Sequence, residues 1–174
     1  MAVTGIPEVV HDFNTYNAGR KQVGVTGEVA LPDLEALTAS ISGAGVLGEY
    51  EAVVAGHFGS MEQEIPFRVV NKDYFDMVAP TKAVDLTLRG AIQYTDRATQ
   101  NTTYVGLRVV FRGKCKKVKP GTVKLHDVMD ASITLELTYI LIELDGEKKL
   151  ELDKLNPKYV VNGEDMLAKV RALT

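Results

Sequence analysis

Hydrophobic and polar positions alternate along most of this chain. In "VGVTGEVAL", Val23, Val25, Val29 and Leu31 share a face, and Leu37, Ala39 and Ile41 do the same in "LTASI". Met61, Ile65, Phe67 and Val69 point one way while Glu62, Glu64 and Arg68 point the other. The same spacing joins Val84, Leu86, Leu88, Ile92 and Tyr94, and then Val105, Leu107, Val109, Phe111 and Cys115. It recurs in Ile133, Leu135, Leu137, Tyr139 and Leu141, with Thr134, Glu136 and Thr138 opposite. A period of two repeated this often predicts strands with one buried and one polar face, the signature of antiparallel sheets.

Two stretches break the period. "NKDYFDMVAP" predicts a short helix over about 72–79, capped by Asn71 and stopped before Pro80, with Tyr74, Phe75 and Val78 on one side. "EDMLAKVRAL" spaces Met166, Leu167, Val170 and Leu173 for a short C-terminal helix. Two connections are long: Gly43–Gly48, and Lys119–Asp130, where Pro120, His126 and Asp130 stand. Loops of that length in a small domain are usually functional. The fold expected is mainly β: an antiparallel β-sandwich or partly open barrel, in one domain over 1–174 with an N-terminal arm over 1–20. The strands are long for the chain, so hairpins project and carry edges that an oligomer can pair.

Composition narrows this little. The 174 residues are 45% hydrophobic and 25% charged, as in an ordinary globular protein. The net charge of −3 argues against a surface built to grip nucleic acid. The single Cys115 excludes an internal disulfide and fits a reducing compartment. No basic segment followed by an apolar run opens the chain, so no secretory signal is expected, and no apolar run is long enough to span a membrane.

Candidate chemistry is thin. Gly43, Gly45 and Gly48 match a G-x-G-x-x-G pattern, but no β-α series surrounds them, so a hairpin loop is the better reading. His11, His57 and His126 are far apart in sequence, and no metal or other cofactor is expected. Cys115 shares the apolar face of its strand and reads as a small buried residue. The acids Glu62, Glu64, Glu151 and Asp153 sit at strand spacing, as on solvated faces, and no enzyme is expected. "RGKCKKVK" lacks interleaved aromatics for stacking bases. It reads as a charged strand end that keeps an edge soluble or meets an acidic partner face. In "ELDGEKKLELDKLNPKYVVNG", Asp145-Gly146 predicts a two-residue hairpin turn, and Asn162-Gly163 a second turn. Its acids lack the ligand spacing of a calcium loop.

From about Leu31 onward the order of these features resembles the major tail tube proteins of contractile-tailed phages and R-type tailocins. The resemblance rests on "LPDLEALTASISGAGVLG", "YFDMVAP", "VVFRGKCKKVKPG" and above all "TYILIELDGEKKLELDKLNPKYVVNGEDML". It implies a structural protein whose hexameric rings stack into a hollow tube. Strands from the six subunits would join into one barrel lining the channel. The implied partners are further copies of the chain, a tail sheath protein, a baseplate or tube initiator, a tail terminator, a tape measure protein, and DNA in the lumen if the particle is a phage. Such a protein is made in the bacterial cytoplasm and assembled into the virion or tailocin tail. Under this reading Glu62, Glu64 and Arg68, or Asp85, Arg89 and Gln93, face the lumen. The loops at Gly43, Gly45 and Gly48 and at Pro120, His126 and Asp130 make ring-to-ring contacts. The competing reading is a monomeric β-sandwich module that binds carbohydrate or protein.

Overall fold

The alternating segments pair as antiparallel neighbours in a computed structural model that describes residues 5–174. In chain order they are β1 (Gly5–Asn17), β2 (Arg20–Lys21), β3 (Ala36–Ser42), β4 (Glu49–Phe58), β5 (Glu62–Phe67), helix α1 (Lys72–Asp76), β6 (Val84–Asp96), β7 (Thr102–Lys119), β8 (Ala131–Leu144), β9 (Glu147–Asp153), β10 (Lys158–Val161), β11 (Glu164–Asp165) and helix α2 (Ala168–Leu173). Nine strands form one sheet in the order β11-β10-β9-β8-β7-β6-β1-β2, with β5 paired to β8. The sheet forks at β8, where Ala131–Glu136 pair with β5 and Tyr139–Leu144 pair with β9. Strands β3 and β4 form a separate two-stranded sheet.

One core lies on a single face of the forked sheet. Met61, just before β5, and Ile65 and Phe67 of β5 meet Leu86 of β6, Phe111 of β7, Ile133 and Leu135 of β8 and Leu152 of β9. Helix α1 closes it. Asn71 caps the helix by accepting the Tyr74 N–H at 2.9 Å, and Tyr74 and Met77 are buried. The antiparallel β class and both short helices therefore match the sequence pattern.

Three local readings change. Residues 22–35 form no regular strand apart from the bridge of Val25 to Phe67, and Val23 and Leu31 are exposed. Gly24, at φ +95°, breaks the extended run there. Phe75 is 62% exposed although Tyr74 beside it is buried, because adjacent helical residues point about 100° apart. In β8 the buried set switches from Ile133, Leu135 and Leu137 to Ile140 and Ile142, leaving Tyr139 on the opposite face. Arg112 pairs with Tyr139 but Gly113 with Leu137, so Thr138 is an extra residue in the ladder. Such a bulge shifts the register by one and sends every later side chain to the other face. Residues 1–4 of the expected arm lie outside the described residues, and Gly5–Asn17 run along β6 as an edge strand of the main sheet.

The turns follow the sequence closely. Asp145 and Gly146 have φ of 53° and 77°, and Asn162 and Gly163 have 51° and 81°. Positive φ at both central positions is the geometry that matches the twist of a two-residue hairpin.

Candidate assembly surfaces

The face of the main sheet opposite the core is polar, and cross-strand register orders it. Glu62 and Glu64 lie there on β5, with Asp85, Arg89 and Gln93 on β6. Arg68 does not join them. It follows the end of β5, where its N–H donates to Gly24 O at 2.9 Å and its side chain borders Asp12, Asn14 and Thr26.

Two register pairs on this face oppose like charges, Glu62 to Glu136 and Arg89 to Arg108. Like charges directly opposite are unfavourable, and each pair is relieved by a neighbour. Lys116 bridges Glu62 and Glu136, and Ser60 donates to both Glu136 oxygens at 2.9 and 2.7 Å. Arg108 turns to Glu143 at 2.8 Å, while Arg89 lies over the Tyr16 ring at 5.7 Å. Arg112 donates to Asp85 at 2.8 Å and stacks on Tyr139 at 4.7 Å. The result is a hydrogen-bonded network around Glu62, Glu136, Asp85, Arg108 and Arg112. Beside it Lys114, Lys117 and Lys119 stand at register positions on the same face without a salt bridge among the described residues.

One part of this network is not legible from alternation, because the bulge at Thr138 places it. Tyr139 reaches this face and donates to Glu151 Oε1 at 3.1 Å, while Lys158 and Lys148 approach Oε2 at 2.9 and 3.3 Å. Burial is the main cause pushing the Tyr139 hydroxyl up to about 12, and the nearby Glu151 charge adds to it, so the hydroxyl stays a donor. Burial also raises the Glu151 carboxyl, but hydrogen bonds from Lys158, Tyr139 and Lys148 outweigh it and hold the group below its ordinary value. A depressed carboxylate stabilises the fold above its unfolded pKa and loses that contribution as pH falls through its folded one. Glu151→Gln is therefore expected to melt below wild type near pH 7. The gap should narrow as pH falls from about 5 toward 3. Melting curves across that range test it, and a gap independent of pH would show that Glu151 acts through packing alone.

Hairpin β3–β4 stands apart. Among the described residues its strands pair only with each other, and Leu37, Ile41 and Tyr50 are exposed on one face. On the other, Thr38 donates to Glu51 at 3.0 Å and Ser40 bonds Glu49. Gly43, Gly45 and Gly48 form the tip, with φ of 139°, 91° and 105°, and Leu47 is fully exposed. The tip adjoins no helix N-terminus of the kind a phosphate loop needs.

The loop after β7 is pinned at its base. Thr122 N–H donates to Met129 O at 2.8 Å, and Met129 N–H to Arg68 O at 2.7 Å. His126 and Asp130 take positive φ, and Val123 and Leu125 are exposed. The structure thus brings Pro120, His126 and Asp130 into one loop and the three glycines into another. Cys115 packs against the core, and burial raises its thiol pKa, as expected of a small apolar residue.

The family model for phage tail tube protein FII matches residues 7–173. The chain belongs to the phage tail tube protein FII family. It is a structural protein of a phage tail, not an enzyme, and part of the virion tail. The tail tube protein of Escherichia phage P2 is 26% identical over 171 residues, spanning 95% of this chain and 96% of that protein. Among solved structures, the sheath/tube terminator of the extracellular contractile injection system PVC, in its extended state, superposes with a TM-score of 0.53. It is 15% identical, and the match covers 79% of this chain and 97% of the terminator. At that identity the likeness concerns the fold. Family membership decides against a monomeric binding module. It also gives the unpaired β3–β4 hairpin a context, since a tube subunit is built to meet copies of itself.

Proposed function

We propose that six copies of this chain close into a ring, and that rings stack into a hollow tube inside a contractile sheath. The single observation that carries this reading is hairpin β3–β4. A two-stranded hairpin is marginal in water by itself, and this one leaves Leu37, Ile41, Leu47 and Tyr50 exposed. Such an element needs a neighbour. Edge strand β1 agrees, because β2 covers only Tyr16 and Asn17 along its outer side. A closed inter-subunit barrel would pair that edge.

In this arrangement the polar face with Glu62, Glu64, Asp85, Arg89 and Gln93 lines the channel. On this face Arg89, Arg108, Arg112 and Lys116 are held by carboxylates or an aromatic ring. Those four would exchange few counterions with DNA phosphates, which favours sliding over sticking. The tip at Gly43–Gly48 and the loop at Pro120–Asp130 make the contacts between rings. A sheath protein, a tube initiator, a terminator and a tape measure protein complete the set of partners. Assembly takes place in the bacterial cytoplasm, in a phage or a headless tailocin.

Negative-stain microscopy of the purified chain, alone and with a tail initiator complex, tests the proposal. Rings or tubes of uniform bore are expected. A chain that stays monomeric at high concentration and is never nucleated would overturn it. Gly45→Val refines the test. A Cβ there meets no atom within 4 Å, so the subunit should fold, but φ of 91° is strained for valine. Tubes should shorten or fail. Tubes of normal length would remove the tip from the contact.

A further inference from the structure

Charge is segregated along this chain. From Gln22 to Phe67 there are seven acidic residues and no Lys or Arg, and from Tyr104 to His126 seven Lys and Arg and no acid. Folding neutralises only part of each block. Arg108, Arg112 and Lys116 pair with Glu143, Asp85 and Glu62/Glu136, and Lys124 pairs with Asp127. Among the described residues, Lys114, Lys117 and Lys119 at the end of β7 form no salt bridge and are exposed. Among the described residues, Glu49 and Glu51 of the hairpin bond the hydroxyls of Ser40 and Thr38 and form no salt bridge. Each unsatisfied patch also carries unpartnered apolar surface: Leu47 and Tyr50 on the hairpin, Val123 and Leu125 on the loop after β7.

We infer that these patches are the two halves of one contact: the β3–β4 hairpin of one copy docks on the Lys114–Leu125 segment of the next. This rests on the tube reading and names which surfaces meet within it. The occupant follows from complementarity. An acidic, apolar hairpin and a basic, apolar strand end each lack a partner within their own subunit. Because the two patches differ, the contact is heterologous, and it repeats from copy to copy instead of closing on a two-fold axis. An exposed ion pair is weak alone, but each ring would present several such contacts at once. The basic "RGKCKKVK" stretch then serves to recognise the acidic hairpin of another subunit.

Charge reversal tests it. Glu49→Lys/Glu51→Lys and, separately, Lys117→Glu/Lys119→Glu are each expected to cut tube mass at least about tenfold, since like charges brought together at an interface cost several kcal/mol. The quadruple variant, carrying both reversals, is expected to recover assembly. All four positions are exposed, so melting of the subunit should stay at wild type. If the hairpin reversal lowers melting, Glu49→Gln/Glu51→Gln replaces it and should weaken assembly in the same direction. Wild-type tube yield from either single-side variant, or no recovery in a folded quadruple variant, overturns the inference while the tube reading stands. A wild-type chain that makes neither rings nor tubes with the initiator overturns both.

Discussion

Gly113→Ala is expected to destabilise the subunit by about 2–3 kcal/mol, at the upper end for overpacking because the obstacle is backbone. A Cβ at Gly113 would overlap the Glu136 carbonyl oxygen and lie 2.9 Å from its carbon and 3.0 Å from Leu137 Cα. No flexible side chain can move aside, so β7 and β8 must separate at the bulge on which the register depends. For a chain of this size the loss corresponds to roughly 5–10 °C in melting temperature. Gly106→Ala, on the same strand, is the control. A Cβ there meets nothing within 4 Å, and melting should be unchanged. Equal melting of the two variants would mean that the strands can part there at little cost.

Phe67→Ala is expected to cost more, about 3–5 kcal/mol, as for other buried aromatic truncations. The Phe67 ring is fully buried and meets Tyr74 edge-on, with centroids 5.5 Å apart at 85°. Its removal would open a cavity between β5 and α1 and weaken the closure of the core. Denaturant unfolding should show a lower midpoint with an unchanged slope, the mark of lost stability in an intact fold. A loss below about 1 kcal/mol would show that α1 collapses into the space. Phe75→Ala, on the same helix end, should change little because that ring is largely exposed.

These variants show how far the sequence could be read. Phe67 and Leu135 could be assigned to the core because period-two spacing in a half-buried strand has one plausible inward face. Phe75 could not, since one turn of helix leaves little periodicity to separate it from Tyr74. Gln63 sits on the buried face of β5 between Met61 and Ile65, with its amide donating to Ala30 O at 2.8 Å. Its polarity hides its register position from a reading of hydrophobic alternation. Glu62 and Glu64 of one candidate set and Asp85, Arg89 and Gln93 of the other lie on the same sheet face. Arg68 does not, because β5 ends at Phe67 and the alternation ends with it.

Strand character, the Asp-Gly and Asn-Gly turns, the Asn71 cap and the order of motifs that points to a tail tube are all written in local stretches of the chain. Each is set by interactions among residues close in the chain: φ preference, capping geometry, and the alternation of neighbouring side chains. Tertiary structure alone decided where β8 forks, how the bulge at Thr138 turns Tyr139 toward Glu151, and which charges find partners. Those depend on pairing between distant segments. A single extra residue in one strand reverses every face beyond it, and only the opposing strand reveals where that residue lies.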